Sequence, residues 1–388
     1  MQNIYQFQTA DLIVSGKDSA DKMMDYVPRI KKNVSSVLVL TQPGIKDLGL
    51  LDGIYKQLDH ETISVTTITD VLPEPTEDNI EEMYRDIKDK AYDIIIGVGG
   101  GSVLDAAKVL SVLKTNDQTV RDMLGTNLIE QPGIPTILVP TTAGTGSEVT
   151  PNAIVTFPDE ELKIGMVSPY LLPDLVILDP MLTLGLPKPI TASTGMDAFT
   201  HSLESFISNK SNYLSDTFAL DSIRLINDSI VESYKNGNNV DAREKMIVGS
   251  MYGGMALTSA GTAAVHALAY PLGGKFKIAH GVANAMLLPH VMEFNLDAVT
   301  ERLSIVAKAI KISDDNEKEQ DASEKLIEKI KEWTKILDIP QDLNEYGVTE
   351  DDIEDLAVAA SKITRLLDNN PKELSIEDMK NIYRRLLG

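Results

Sequence analysis

Short apolar runs alternate with segments of helical periodicity through the first half of the chain. Runs of this kind are typical of parallel strands that helices cover on both faces of a sheet. The alternation therefore predicts a doubly wound α/β domain with a mostly parallel sheet. The predicted strands are 36–41, 63–67, 93–98, 134–139 and 175–178, with helices at 45–58 and 76–90, the second one capped by Thr76.

This pattern ends near residues 183–189, in the segment LTLGLPKP. Helical periodicity dominates beyond that segment, and a chain of 388 residues is long enough to form two cores. We therefore expect an α/β domain at 1–186 and an all-α domain at 187–388. The charged run 314–335 is interpreted as a loop followed by a solvated helix face. The predicted helices of the second domain are 189–208, 213–236, 241–259, 262–272 and 280–294.

The composition excludes several classes of site and disfavours others. The chain has no cysteine, which excludes disulfides and thiolate-ligated zinc and is consistent with a reducing compartment. Its net charge of -22 disfavours binding to nucleic acid and to anionic membranes. The N-terminus shows no basic segment followed by an apolar run, and no apolar segment is long enough to span a bilayer. We therefore expect a cytoplasmic protein without a nucleic-acid or membrane partner.

A glycine cluster joins a predicted strand to a predicted helix in DIIIGVGGGSVLDAAKVL. Gly99, Gly100 and Gly101 allow the backbone to approach a ligand closely, and Ser102 opens a helix whose free N–H groups favour an anion. These features are typical of a dinucleotide pyrophosphate site. The match to G-x-G-x-x-G is imperfect, because Ser102 replaces the third glycine and the acidic residue expected about 20 positions later is missing. A purely structural turn is an equally good reading of this motif alone, and Asp105 and Lys108 would then be a surface pair.

A second polar loop, PTTAGTGSEVT, follows the predicted strand 134–139. Ligands of open α/β sheets bind at the carboxyl ends of the strands, where small hydroxyl-bearing residues can contact them. An ordinary loop is the alternative interpretation. The residues that could hydrogen-bond a ribose, a phosphate or a carboxamide are Thr141, Thr142, Thr145 and Ser147.

A candidate metal site lies in the helical half. Asp197 and His201 are four residues apart in GMDAFTHSLE, a spacing that places both side chains on one face of a helix. An isolated pair of this kind is more often a solvated surface pair. His266 and His280 complete a set that uses three of the five histidines in the chain. Three imidazoles and one carboxylate suit a divalent first-row ion, Fe²⁺ or Zn²⁺.

Five motifs occur in one order, within a resemblance that covers roughly residues 8–385: GGGSVLDAAK, PTTAGTGSEVTPNAIV, LVILDP, GMDAFTHSLE and HGVANAMLLPHVMEFN. Together they resemble the iron-containing (group III) alcohol dehydrogenase family. The resemblance implies a dehydroquinate synthase-like fold, with a dinucleotide-binding domain at 1–186, a helical metal- and substrate-binding domain at 187–388, and a homodimer. It also implies that Asp197, His201, His266 and His280 are the metal ligands. The expected cofactor-binding residues are Gln42, Gly99, Gly100, Gly101, Ser102, Asp105, Thr141, Thr142, Thr145, Ser147, Lys163 and Leu182.

Two positions depart from the pattern of the family. Relatives that prefer NAD often carry an acidic residue after the second strand, where this chain has Gln42. A neutral amide does not repel a 2′-phosphate, so both NAD and NADP stay open. Many relatives also have a histidine four residues beyond the third ligand, where this chain has Tyr270. Tyr270 is a candidate catalytic group that could donate or relay a proton, with aromatic packing as the alternative.

The predicted reaction is reversible hydride transfer between a small primary alcohol or diol and the C4 atom of a nicotinamide. In this mechanism the metal lowers the pKa of the alcohol and polarises the aldehyde in the reverse direction. Three alternatives use the same residues: a lyase or synthase resembling dehydroquinate synthase, a transhydrogenase that never releases its nicotinamide, and a nucleotide-binding protein without catalysis. The sequence does not identify the alcohol or aldehyde.

Overall fold

The computed structural model of the chain describes residues 4–160 and 162–388. This part of the chain divides into two compact units. The functional division into a cofactor domain at 1–186 and a metal and substrate domain at 187–388 stays a prediction. One unit, the α/β unit, comprises Gln8–Thr142 and Gly146–Leu184; the other, the helical unit, comprises residues 4–7, Ala143–Thr145 and Gly185–Gly388.

The α/β unit contains nine strands and five α-helices among the described residues. Its strands are short and rich in valine, isoleucine and leucine, which pack well on the two faces of a buried sheet. The strands are β1 (Leu12–Ser15), β2 (Ser36–Leu40), β3 (Ser64–Ile68), β4 (Ile94–Gly99), β5 (Gly125–Thr126), β6 (Thr136–Pro140), β7 (Asn152–Phe157), β8 (Leu162–Val167) and β9 (Leu175–Leu178). The helices are α1 (Val27–Ile30), α2 (Pro43–Asp47), α3 (Asp52–His60), α4 (Glu77–Ile87) and α5 (Gly101–Leu113).

Six of these strands form a wholly parallel sheet in the order β1-β9-β6-β4-β2-β3. Successive side chains of β2 point to opposite faces of the sheet, so alternate residues pack in different hydrophobic clusters. Leu38 and Leu40 pack in a cluster with residues of α4 and α5. Val37 and Val39 pack in a second cluster with residues of α3. Helices thus cover both faces, which confirms the predicted doubly wound, mostly parallel sheet.

Several local elements of the α/β unit differ from the predictions. The predicted helix 45–58 is two helices, α2 and α3, because Gly49 between them adopts a φ of 70°, which ends the first helix. A second sheet of order β5-β8-β7, in which β7 and β8 are antiparallel, was not predicted. The predicted cap of α4 is present, since the Thr76 side chain accepts a hydrogen bond from the backbone N–H of Asn79 at 3.2 Å.

The helical unit contains nine α-helices in the described part of the chain. Its first helix runs close to the predicted range, whereas the helix predicted to end at residue 294 continues to 309 across a break at Val299. The helices are α6 (Lys188–Ile207), α7 (Tyr213–Lys235), α8 (Val240–Ala260), α9 (Ala264–Phe276), α10 (His280–Ala309), α11 (Glu319–Ile336), α12 (Ile353–Ser361), α13 (Thr364–Leu367) and α14 (Ile376–Arg384).

Helix α6 is the centre of this unit, and α7, α8 and α10 pack around it. The close approach of α8 requires glycine, since a Cβ atom at Gly253 would lie 2.8 Å from Ser202 Oγ of α6. The Ser202 hydroxyl in turn lies 2.6 Å from the Ser222 hydroxyl of α7. Polar residues of α6 are therefore buried deep inside the unit, where they need partners. Every helix in the described residues is too short or too polar to cross a lipid bilayer.

Candidate active site

Helix α6 presents three ionisable side chains on one face. Asp197, His201 and Glu204 occupy positions i, i+4 and i+7, which lie within one stripe of a helix. Asp197 is 2% exposed, His201 is 6% exposed and Glu204 is fully buried. Burying two carboxylates and an imidazole costs free energy unless they are paired or bind a cation. The face of α6 therefore indicates a functional site.

Two further histidines converge on this face from other helices. His266 lies in the first turn of α9, and His280 is the first residue of α10. Together with Asp197 and His201 they form the quartet, in which one possible ligand atom from each residue lies within 4.8 Å of all the others. The structure thus brings together all four predicted ligands. The Nε2 atoms of His201, His266 and His280 lie 4.0, 3.8 and 3.6 Å from Asp197 Oδ1.

Partners on the far side of two imidazoles set their orientation. Glu204 Oε2 lies 2.5 Å from His266 Nδ1, and Glu204 Oε1 accepts a hydrogen bond from the backbone N–H of Val265 at 2.6 Å. His201 Nδ1 lies 3.3 Å from the carbonyl oxygen of Gly144. Each acceptor favours a proton on Nδ1, which leaves the Nε2 lone pair facing the quartet. Both rings are therefore oriented as metal ligands.

The Asn284 amide shows which charge the quartet favours. Its Nδ2 atom donates to Asp197 Oδ1 at 2.7 Å and lies 3.2 Å from His266 Nε2 and 3.1 Å from His280 Nε2. Its buried Oδ1 atom has no hydrogen-bond partner among the described residues. Three acceptor atoms, Asp197 Oδ1 and the Nε2 atoms of His266 and His280, therefore converge on the Asn284 Nδ2 donor. A divalent cation would contact all four, so the residues fit a first-row metal ion.

Electrostatics also favour the protonation states that a metal requires. Burial alone would raise the pKa of Asp197, but the three histidines and the Asn284 hydrogen bond outweigh it and lower that pKa below its ordinary value. Burial lowers the pKa of His201, against the opposing effect of Asp197. An ionised aspartate and a neutral imidazole are the forms that bind a metal.

Tyr270 lies beside the quartet on α9. Its ring centroid is 5.9 Å from that of His280, with 51° between the ring planes. Burial raises the pKa of the Tyr270 hydroxyl, while the charge and a hydrogen bond of the Arg365 guanidinium act in the opposite direction. A protonated phenol can donate a hydrogen bond but is a poor base. The catalytic role predicted for Tyr270 stays a prediction.

The glycine cluster forms the junction between β4 and α5. A Cβ atom at Gly99 would lie 2.5 Å from Val103 Cγ2, so glycine permits the close packing of this turn against α5. No side chain caps α5 and its first turn has no acidic residue, which leaves the positive end of the helix dipole uncompensated. This N-terminus is suited to an anion such as a pyrophosphate.

Predicted cofactor residues from two other segments lie near this junction. The backbone N–H of Thr141 donates to Gly99 O at 2.9 Å, and the Thr142 side chain would contact a Cβ atom at Gly100. Lys163 reaches the N-terminal turn of α5 through Glu74. Lys163 Nζ pairs with Glu74 Oε1 at 2.6 Å, and the backbone N–H of Glu74 donates to Ser102 Oγ at 3.0 Å.

Lys108 anchors the loop PTTAGTGSEVT from inside the α/β unit. Its side chain is fully buried, and Nζ donates to Ser147 Oγ at 3.0 Å, Thr150 O at 3.0 Å and Asn152 O at 2.7 Å. The Ser147 hydroxyl donates to Asp105, whose other oxygen accepts from the backbone N–H of Ile154 at 3.1 Å. The surface-pair reading of Asp105 and Lys108 is therefore wrong. Asp105 contacts this loop through Ser147.

Glu148, Asp105 and Lys108 form a buried ionisable cluster. Burial raises the pKa of Glu148 to about 7 and lowers the pKa of Lys108 to about 8, and it also raises the pKa of Asp105. Lys108 opposes the rise of both carboxyl pKa values, and both carboxylates oppose the fall of the Lys108 pKa, whereas the charge of Asp105 raises the pKa of Glu148 further. The loop therefore rests on a cluster in which the pKa values of Glu148 and Lys108 are both shifted towards neutrality.

The remaining predicted cofactor residues lie in different surroundings. Gln42 is half-buried at the start of α2, and its Nε2 atom donates to Val71 O at 3.1 Å. Leu182 packs in the apolar cluster that contains Val37 and Val39. Thr145 is half-buried in the short segment assigned to the helical unit. Their contact with a cofactor stays a prediction.

The sequence reasoning missed Glu204 and Asn284. Both lie within motifs that were used for other residues, GMDAFTHSLE and HGVANAMLLPH. The available signal was helical spacing, since Glu204 is three residues beyond His201 and Asn284 is four residues beyond His280. Glu204 contacts the far side of the His266 ring and thereby orients it, whereas Asn284 contacts the ligand atoms themselves.

The comparisons with known proteins cover both units. Residues 10–180 match the family described as iron-containing alcohol dehydrogenase, and residues 191–387 match the C-terminal part of the Fe-containing alcohol dehydrogenase family. The chain is 40% identical over 361 residues to Long-chain-alcohol dehydrogenase 1 of Geobacillus thermodenitrificans, which covers 92% of this chain and 91% of that protein.

Solved structures agree with this assignment. The crystal structure of a 1,3-propanediol oxidoreductase is similar, with a TM-score of 0.95, 32% identity, and coverage of 99% of this chain and 100% of that one. The structure of sulfoacetaldehyde reductase from Bifidobacterium kashiwanohense in complex with NAD⁺ has a TM-score of 0.87, 28% identity and coverage of 99% of both chains. The chain thus belongs to the iron-containing alcohol dehydrogenase family and is an alcohol/aldehyde oxidoreductase.

Proposed function

We propose that the chain interconverts small primary alcohols or diols and their aldehydes, with NAD or NADP as the hydride carrier and Fe²⁺ as the metal. Zn²⁺ is the alternative metal, because both ions accept this set of ligands. The observation that carries the proposal is the convergence of the quartet, with its four ligand atoms within 4.8 Å of one another. The assignment of the family supports a divalent metal and NAD.

The quartet would hold the cation through Asp197 Oδ1 and three Nε2 atoms. A bound cation supplies a Lewis acid that lowers the pKa of an alcohol and polarises an aldehyde carbonyl. Glu204 holds the proton of His266 on Nδ1 and so keeps its Nε2 lone pair free. Asn284 Nδ2 donates to Asp197 Oδ1, and a cation held by the quartet would compete with this donor for the lone pairs of that oxygen.

The nicotinamide cofactor would bind along the loops at the strand ends. The uncapped N-terminus of α5 would bind the pyrophosphate, with Lys163 as a nearby positive charge. Thr141, Thr142, Thr145 and Ser147 belong to the loop expected to contact the ribose and carboxamide, while the bound cofactor supplies or accepts the hydride. Gln42 places no negative charge against a 2′-phosphate, so use of both NAD and NADP is part of the proposal.

The proposal includes the functional division at 1–186 and 187–388, a cytoplasmic location and a homodimer. The absence of cysteine supports a reducing compartment. The resemblance to the family supports the dimer, and size-exclusion chromatography with light scattering would measure it.

Activity and metal content together test the proposal. The chain is reconstituted with Fe²⁺ without oxygen, and NAD(P)H is followed at about 340 nm with a panel of alcohols and aldehydes. His280→Ala should lose bound metal and nearly all turnover while retaining cofactor binding, because it removes one ligand from the quartet. His60→Ala is the matched control, since its side chain is 85% exposed. Equal metal content and turnover in wild type and His280→Ala would contradict the proposed metal site.

The alternatives predict different results in the same experiments. A lyase or synthase would bind NAD but show no net turnover with any alcohol or aldehyde. A transhydrogenase would retain its cofactor through purification and exchange hydride only between two substrates. A nucleotide-binding protein without catalysis would bind the cofactor without depending on metal.

A further inference from the structure

The loop that joins β3 to α4 contacts three predicted cofactor residues from different segments of the α/β unit. The carbonyl oxygen of Val71 accepts a hydrogen bond from Gln42 Nε2 at 3.1 Å. The backbone N–H of Glu74 donates to Ser102 Oγ at 3.0 Å, and the Glu74 carboxylate pairs with Lys163 Nζ at 2.6 Å. This loop was not among the predicted cofactor segments, yet it lies against residues from three of them.

Backbone contacts hold Glu74 beside the lysine. The backbone N–H of Thr156 in β7 donates to Pro75 O at 2.9 Å, and Thr156 is the register partner of Lys163 in β8. The loop therefore docks on β7 directly opposite the lysine. Glu74 itself has a φ of 55°, which is uncommon for a residue other than glycine. Its side chain thus reaches Lys163 from a backbone that β7 and Ser102 fix on either side.

The carboxylate of Glu74 lies where an anionic ligand is also favoured. The Lys163 side chain is only 6% exposed, so water screens its charge weakly and an anion beside it is stabilised more than at the surface. The first turn of α5, to which Ser102 belongs, presents backbone N–H groups that also favour an anion. A protein carboxylate and a ligand phosphate therefore suit the same cation.

We propose that Glu74 competes with the cofactor: its carboxylate neutralises Lys163 in the free chain and yields the lysine to the pyrophosphate when NAD or NADP binds. This inference rests on the proposed function, which assigns the pyrophosphate to the N-terminus of α5. The Glu74 side chain is 39% exposed, so its carboxylate can turn into solvent while its backbone stays bonded to Ser102. Lys163 pairs with Glu74 again as the cofactor leaves. The ion pair therefore lowers the affinity for the cofactor and speeds its release.

Titrations of the Fe²⁺-reconstituted protein without substrate test this inference, because binding does not require turnover. Glu74→Gln removes the charge at nearly constant volume, so it should bind NADH about threefold to tenfold more tightly than wild type in a fluorescence titration. NADH should also dissociate more slowly in stopped-flow displacement. Competition by ADP should show the same gain, and added salt should reduce it. Glu77→Gln is the matched control, since it removes the same charge from a pair with Arg121 at 2.7 Å and should bind like wild type.

A double-mutant cycle separates competition for Lys163 from general repulsion of the cofactor. Lys163→Met should weaken NADH binding, because it removes the cation that the pyrophosphate takes over. In that background Glu74→Gln should lose most of its effect, since there is no lysine left to release. An equal gain with and without Lys163 would contradict the proposed exchange of partners.

The binding data also separate this inference from the proposed function. Unchanged affinity in Glu74→Gln would overturn the inference, and weaker affinity would show instead that the carboxylate helps to bind the cofactor. If wild type and Glu74→Gln both fail to bind NADH and ADP, the proposed cofactor site is wrong and the inference falls with it. Tighter binding by Glu74→Gln, without turnover of any alcohol or aldehyde by wild type, would support the competition and contradict the proposed activity.

Discussion

Replacement of Glu204 by glutamine should weaken metal binding while preserving the packing of α6. The fully buried carboxylate accepts two hydrogen bonds, from the backbone N–H of Val265 at 2.6 Å and from His266 Nδ1 at 2.5 Å. In glutamine, an NH₂ group replaces one of the two carboxylate oxygens. The remaining oxygen can accept only one of these two hydrogen bonds, and the NH₂ group faces the other donor. If the oxygen faces Val265, the NH₂ group faces His266 Nδ1. That contact favours the tautomer with the proton on Nε2, which removes the lone pair needed by a metal.

The size of the effect follows from this arrangement. Loss of a partner that orients a metal-bound histidine typically costs about 10- to 100-fold in metal affinity. In the new tautomer the Nε2–H group of His266 faces the Asn284 Nδ2 donor at 3.2 Å, so the metal-free protein should lose about 1–3 kcal/mol of unfolding free energy. The volume of the side chain is conserved, so a cavity does not contribute.

A chelator competition measures the first quantity and denaturant unfolding measures the second. Fe²⁺ is titrated without oxygen into wild type, Glu204→Gln and the control Glu232→Gln, whose exposed carboxylate accepts from Asn239 at 2.9 Å. We expect the control to match wild type in metal affinity. Unchanged affinity in Glu204→Gln, with a correctly folded protein, would refute the argument that Glu204 sets the tautomer of His266.

Three further predictions concern the α/β unit. Gly99→Ala should weaken cofactor binding by about tenfold or more in a fluorescence titration, because its Cβ atom would lie 2.5 Å from Val103. Gly44→Ala is the control: its Cβ atom would meet no atom within 4 Å, so this variant should bind the cofactor normally. The pKa of Glu148 is raised by burial from 4.5 to about 7, so the folded chain retains a proton that the unfolded chain releases. Its contribution to unfolding free energy should fall by about 3 kcal/mol from pH 4.5 to 7, and Glu148→Gln should remove that fall in denaturant titrations; an unchanged pH profile would refute this. Gln42→Asp should raise the ratio of kcat/KM with NAD to kcat/KM with NADP by about tenfold or more, because its carboxylate repels a 2′-phosphate. An unchanged ratio would show that residue 42 does not face the ribose.

The parts of the fold that sequence predicted best are those with strong local patterns. The strand predicted at 175–178 is present with those bounds as β9, and the long helix α6 begins and ends within one residue of its prediction. The four-residue edge strand β1 was not predicted; Leu12, Ile13 and Val14 are half-buried and Ser15 is exposed. The position of β1 in the sheet depends on its pairing with β9, more than 150 residues later in the chain, as in Leu12 with Leu175.

Within the site, the sequence indicated ligand types but not their supporting contacts. The quartet could be proposed because histidines are few and the Asp197–His201 spacing is helical. Glu204 could not be distinguished from a solvated glutamate, since its role depends on a contact with His266, 62 residues later. Lys108 gave a similar error, because its burial results from loop residues that follow β6.

The most direct test of the account is to locate the metal in crystals of Fe²⁺-reconstituted protein by anomalous scattering at the iron edge. The account predicts one strong peak per chain at about 2.0–2.3 Å from Asp197 Oδ1 and from the Nε2 atoms of His201, His266 and His280. A peak elsewhere, or a peak that contacts the carboxylate but not the imidazoles, would contradict the proposed metal centre.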